Sequence, residues 1–98
     1  MVTKEEIMNA LRSVIDWEIG VDIVSLGLIY DVQVKDDNNV KVVMTLTTPG
    51  CPLQASLMEQ VRAAVRSLGV KNVEVELTFD PPWSPERMDP EVRKMFGL

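Results

Sequence analysis

Residues 28–46, LIYDVQVKDDNNVKVVMTL, constrain the fold more than any other stretch. Leu28, Tyr30, Val32 and Val34 are interleaved with Asp31, Gln33 and Lys35, which is the two-residue period of a strand with one buried face. Asp36-Asp37-Asn38-Asn39 follows; Asp and Asn tolerate left-handed backbone and bond their own main chain, so the four residues predict a turn. Val40, Val42, Met44 and Leu46 resume the alternation, with Lys41 and Thr45 facing outward. The stretch is a β-hairpin, and the rest of the chain must cover its apolar face.

Two amphipathic segments can do so. Thr3-Lys4-Glu5-Glu6 has the form of a capping box, and Ile7, Leu11, Val14 and Ile15 repeat at helical spacing, predicting a helix over 4–15. The segment DWEIG, 16–20, carries Asp16 and Glu18, is closed by Gly20 and matches neither period. Leu53, Leu57, Val61, Ala64, Val65 and Leu68 mark a second helix, with Gly69 as its left-handed cap. Val73, Val75, Leu77 and Phe79 predict a third strand, and strand–helix–strand succession implies a crossover that makes the sheet partly parallel. Ser84-Pro85 and Asp89-Pro90 each set an N-cap residue before proline and predict two short helical turns. The expected fold is an α/β (α+β) two-layer domain of order α-β-β-α-β, with a small mixed sheet and short C-terminal helical turns. Residues 1–98 have room for one core, with 79–98 as a proline-rich tail that packs on it or extends it.

Fifteen acidic residues against ten basic ones give a formal charge of −5. That balance opposes phosphate backbones and anionic membrane surfaces, so neither nucleic acid nor membrane is an expected partner. The amphipathic, acidic N-terminus suits neither a signal nor a transit peptide, and no apolar run approaches the roughly 20 residues of a membrane span, so a cytoplasmic chain is expected. One cysteine excludes an internal disulfide, and without histidine the chain lacks the usual four Cys/His ligands of a structural zinc site. Any soft-metal chemistry must recruit ligands from another molecule.

That cysteine sits in TTPGCPL, residues 47–53. If Pro52 opens the second helix, Cys51 is its N-cap, and free N–H groups at the positive end of the helix dipole favour the thiolate. Buried packing is the competing reading, because free cysteine is among the most buried residue types. Thr47, Thr48 and Gly50 make either a ligand-receiving turn or an ordinary strand-to-helix loop. Asp16 and Glu18 are either acid–base groups or hard ligands, or solvated loop carboxylates. Trp83, in Asp80-Pro81-Pro82-Trp83, covers the core edge or anchors a partner. Gly27, between leucines, allows another backbone or a ligand to approach, or simply bends the chain.

Taken together and in order, DWEIGVDIVSLGLIYDV, MTLTTPGCPL and DPPWSPERM resemble the PaaD-like and SufT-like family of iron–sulfur cluster assembly domains, relatives of the targeting factors of cytosolic iron–sulfur assembly. The resemblance implies a fold like the C-terminal scaffold domain of NifU and a role in maturing iron–sulfur proteins. It places the family's acidic pair on Asp16 and Glu18, its threonines on Thr47 and Thr48, its reactive cysteine on Cys51, and its Asp-Pro-Pro-Trp segment on Asp80 to Trp83, followed by Arg87. Trp17 stands where the family usually has proline, and Asp89 where it has a small hydroxyl residue. The chain lacks the extra cysteines at the end of PaaD proteins and so looks closer to the SufT-like members.

Three functional readings follow. In the first, implied by the resemblance, a non-enzymatic assembly or targeting factor holds no tightly bound cofactor, and Cys51 transiently ligates iron or an iron–sulfur cluster. Its partners are client apoproteins and the assembly machinery, contacted through Trp83 and Arg87. A cluster generally takes four protein ligands, so a homodimer, a small thiol or a client must complete the shell. In the second, Cys51 is an enzyme nucleophile served by Asp16 or Glu18, which the absence of histidine disfavours. In the third, the chain is an interaction module in which Cys51 is inert.

Overall fold

The computed structural model describes residues 2–17, 19–36, 38–47 and 54–97. Helix α1, Lys4–Leu11, begins at the predicted capping box: Glu6 N donates to Thr3 Oγ1 at 3.1 Å, and Thr3 N donates to Glu6 Oε1 at 3.3 Å. Ile7 and Leu11 are fully buried. The helix stops four residues before the predicted end at residue 15. Ser13 turns its hydroxyl back to Ala10 O at 2.7 Å, and β-branched Val14 and Ile15 are better placed in extended backbone. Ile15–Asp16, β1, instead pairs antiparallel with Val21–Asp22, β2. Gly20 closes this hairpin at φ +81°, and the amides of Ile19 and Gly20 both donate to Asp16 O.

The predicted long hairpin is β3, Ile29–Asp36, against β4, Asn39–Met44. Helix α2 spans Gln54–Arg66, and Gly69 after it adopts φ +94°. Strand β5, Asn72–Leu77, pairs parallel with β4, so the sheet is mixed, in the order β3-β4-β5. Val32, Val40, Val42, Met44, Val73 and Val75 share the core with Ile7 and Leu11 of α1 and Leu57, Val61 and Val65 of α2. Each such aliphatic side chain contributes about 1.5–3 kcal/mol of burial. On the sheet's other face Lys41 bridges Glu74 at 3.5 Å and Glu76 at 3.3 Å. The small α/β class and mixed sheet agree with the sequence-based expectation.

Three strand positions depart from it. A register shift between Ile29 and Asp31 breaks the alternation of β3, and Tyr30 leaves the core face to donate its hydroxyl to Pro81 O at 2.8 Å. Thr45, expected outward, is 0 % exposed: beyond Met44 the chain leaves the β4 ladder, Thr45 N donates to Leu28 O, and Met44, Thr45 and Leu46 are buried in succession. Phe79, expected on the core face, is 37 % exposed because β5 stops at Leu77. Asp80 N donates to Thr78 Oγ1 at 3.2 Å, and Pro81 and Pro82 have no N–H to continue a ladder.

The tail forms a 3-10 turn, Pro85–Arg87, and helix α3, Pro90–Met95. Ser84 and Asp89 hold the N-cap positions without side-chain cap bonds. Val92 of α3 is buried in the common core.

Candidate functional site

The strand directions gather the chemistry-bearing segments at one end of the sheet. The start of β3, the ends of β4 and β5, and residues 45–47 beyond β4 all belong to that end. Loops beyond the carboxyl ends of parallel strands are a recurrent place for ligand sites. A chain of backbone bonds ties the pieces together: Ile23 N to Val14 O, Leu28 N to Ile23 O, Thr45 N to Leu28 O, and Thr78 N to Met44 O. The β1–β2 hairpin, the turn before β3, the exit of β4 and the exit of β5 are thus laid side by side.

Of the predicted site residues, Asp16, Thr47, Trp83 and Arg87 are described; Glu18, Thr48 and Cys51, with the expected helix cap at Cys51, lie outside the described residues. Asp16 is 4 % exposed, so the solvated-loop reading does not hold for it. Trp17 beside it is exposed. Thr47 is half-buried, two residues past the Leu28–Thr45 bond. Among the described residues no group of three Cys, Asp, Glu or His side chains forms a metal site.

Trp83 packs half-buried against the core and donates its indole N–H to Leu26 O at 2.7 Å. Asp89 N donates to Ser25 O at 2.8 Å. Between these two ties, Gly27 at φ +75° faces the backbone of Arg87: a Cβ there would overlap the Arg87 carbonyl oxygen and lie 2.7 Å from its carbon. The close approach that Gly27 permits is therefore by the tail. Arg87 lays its guanidinium over the Tyr30 ring, 4.7 Å from the centroid.

Sequence reasoning missed three features of this end. Tyr30 reaches Pro81 across fifty-one positions, and no local pattern announces that. The β1–β2 hairpin is two residues per strand, too short for a period to register. Thr45 Oγ1 is buried without a hydrogen-bond partner among the described residues; the only signal was a hydroxyl residue inside an apolar strand end.

The comparisons with known proteins agree with this geometry. Residues 4–77 match the family model described as "Iron-sulfur cluster assembly protein". The Fe-S protein maturation auxiliary factor YitW of Bacillus subtilis is 43 % identical over 97 % of this chain and 94 % of its own length. The Fe-S protein maturation auxiliary factor SufT of Staphylococcus aureus is 37 % identical over 87 % of this chain and 98 % of its own. An iron-sulfur cluster carrier protein of Synechocystis is 37 % identical over 84 % of this chain, which spans 23 % of that longer protein. A solved structure of a conserved hypothetical protein from Thermotoga maritima superposes with a TM-score of 0.86 at 60 % identity, covering 99 % of this chain and 96 % of that one. The SufT-like resemblance is borne out: the chain belongs to the iron–sulfur cluster assembly protein family.

Proposed function

We propose that this chain is an iron–sulfur protein maturation factor that assists cluster assembly or delivery to client apoproteins, with the Cys51 thiol as the group that meets iron or cluster. The observation that supports the proposal is the convergence at one end of the sheet: the exit of β4, six residues before Cys51 in the sequence when counted from Thr45, shares that end with the hairpin of buried Asp16 and with the tail. Relatives across nearly the whole chain are named as maturation factors.

The donor chemistry defines how far one chain can go. The thiolate is the form of cysteine that binds iron, and a cluster takes four such ligands. With one cysteine and no histidine, this chain supplies one soft ligand. The cluster is therefore cargo, held jointly with a client, a small thiol or a second copy, and released when the client's own cysteines replace Cys51. Shared ligation favours transfer over storage. Asp16 and Glu18 shape the acidic hairpin beside the cargo, Thr47 and Thr48 offer hydroxyls to it, and Trp83 and Arg87 form the partner-facing side.

Anaerobic incubation with ferrous iron, sulfide and a small thiol, followed by gel filtration and iron counting, tests the ligation step. The wild-type chain retains iron with thiolate-to-iron absorbance, and Cys51→Ser retains none. Equal, negligible iron in both would contradict direct ligation by Cys51.

A further inference from the structure

The groove beside Arg87 has a defined chemistry of its own. It encloses about 460 Å³ and is lined by Gly27, Ile29, Tyr30, Pro81 and Arg87. Its cation is fixed from both ends. The backbone of Arg87 is seated on Gly27, and Arg87 N donates to Ser84 O at 3.0 Å. The guanidinium lies on a ring that is itself held by the Tyr30–Pro81 hydrogen bond. Stacking engages the face of a guanidinium and leaves the N–H groups on its edge free for bidentate bonding.

Those donors are unused among the described residues. Ion pairs are made by Lys4, Lys41 and Arg62, and none by Arg87, although Glu86 and Asp89 are close in sequence. In a chain of fifteen acids and ten bases, an arginine held in place without an acid is an open half of an ion pair. Pinning the side chain beforehand removes much of the rotamer cost of binding.

We infer that the Arg87–Tyr30 groove is a carboxylate-binding subsite that receives an aspartate or glutamate side chain from an extended segment of a protein partner. One guanidinium matches one carboxylate in charge and shape, and the net charge of −5 disfavours a polyanion here. Ile29 and Pro81 give an apolar floor for the residue next to the acid. The inference rests on the maturation-factor reading only for the kind of partner; the subsite itself involves neither metal nor Cys51.

The test is a nuclear magnetic resonance titration of the full chain with acetyl-Leu-Asp-Leu-amide, its Asn analogue and inorganic phosphate. With the Asp peptide, the Arg87 Nε–H and the amides of Gly27 and Ile29 shift together, whereas the Asn peptide binds at least about tenfold more weakly, as loss of a charge-assisted bond requires. Arg87→Gln abolishes the response with the rest of the spectrum unchanged, and Arg87→Lys weakens it. Equal shifts with Asp and Asn peptides, shifts centred on other residues, or tighter saturation by phosphate would overturn the assignment. Because no metal is present, peptide binding can succeed where Cys51→Ser shows the maturation reading to be wrong, and the reverse.

Discussion

At the turn end of the sheet, short polar side chains close the β3–β4 hairpin and tie the start of β5 to it. Asp36 accepts from Asn38 N at 2.8 Å and from Asn39 Nδ2 at 2.9 Å, while Asn72 donates from its side chain to Asn39 Oδ1 at 3.1 Å and from its backbone to Asn38 O at 2.8 Å. Pairing there runs to Asp36–Asn39 and Asn39–Asn72. β3 shifts register at both ends, but the opposite end also has a buried carboxylate on Asp16, a hydroxyl buried without a partner among the described residues, and a tail tied on by bonds from Trp83 and Asp89. One end closes the sheet, and the other is assembled from segments far apart in sequence. A buried hydroxyl left unmatched and backbone that leaves the ladder are tolerated where they serve a site.

If the tail is seated by backbone complementarity, the largest effect belongs to Gly27→Ala. Positive φ and overlap with Arg87 add, so we expect a loss of more than about 3 kcal/mol in denaturant unfolding. Gly20→Ala, at φ +81° with open space around it, costs about 1–2 kcal/mol. Equal losses at the two glycines would remove the tail from the account. Trp83→Phe keeps the aromatic packing but loses the bond to Leu26 O, an expected cost of about 1 kcal/mol in the same measurement.

Thr45→Val sharpens the contrast from the other side. It replaces a buried hydroxyl that has no partner with a methyl of similar shape, so stability stays level or rises by about 1 kcal/mol. A clear loss would mean that the hydroxyl is bonded in solution.

The smallest effect belongs to the turn end. Hydrogen bonds from Asn38 N, first, and from Asn39 hold the Asp36 carboxyl below its ordinary 3.8. Its contribution is therefore present above the unfolded-state value and lost as pH falls through the lowered one. Asp36→Asn should lower stability slightly at neutral pH and leave acid pH nearly unchanged, which flattens the acid limb of the stability profile. A larger effect at acid pH than at neutral pH would reverse the proposed role.

The same division explains what could be read from the residues. The hairpin turn, the capping box at Thr3, the glycine after α2 and the partly parallel sheet each follow from a local pattern or a connection rule. Thr45, Phe79 and Tyr30 could not be placed by alternation. Their positions depend on where β4 and β5 leave the ladder and on the Pro81 carbonyl, which only the folded tail supplies. Asp16 was legible as acidic but not as buried, because neither period assigns residues 16–20 a face. Helix-cap chemistry left Cys51 open between packing and reactivity, and only its setting among three separated motifs pointed to cluster handling.

The central proposal is that Cys51 meets the cargo and that the turn end of the sheet takes no part. The most direct test is the specific activity of an iron–sulfur enzyme in cells lacking this chain, re-supplied with wild type, Cys51→Ser or the turn-end variant Lys71→Gln at matched protein levels. The account predicts full activity with wild type and Lys71→Gln, and activity no higher than in the depleted cells with Cys51→Ser. Wild-type activity from Cys51→Ser would contradict it.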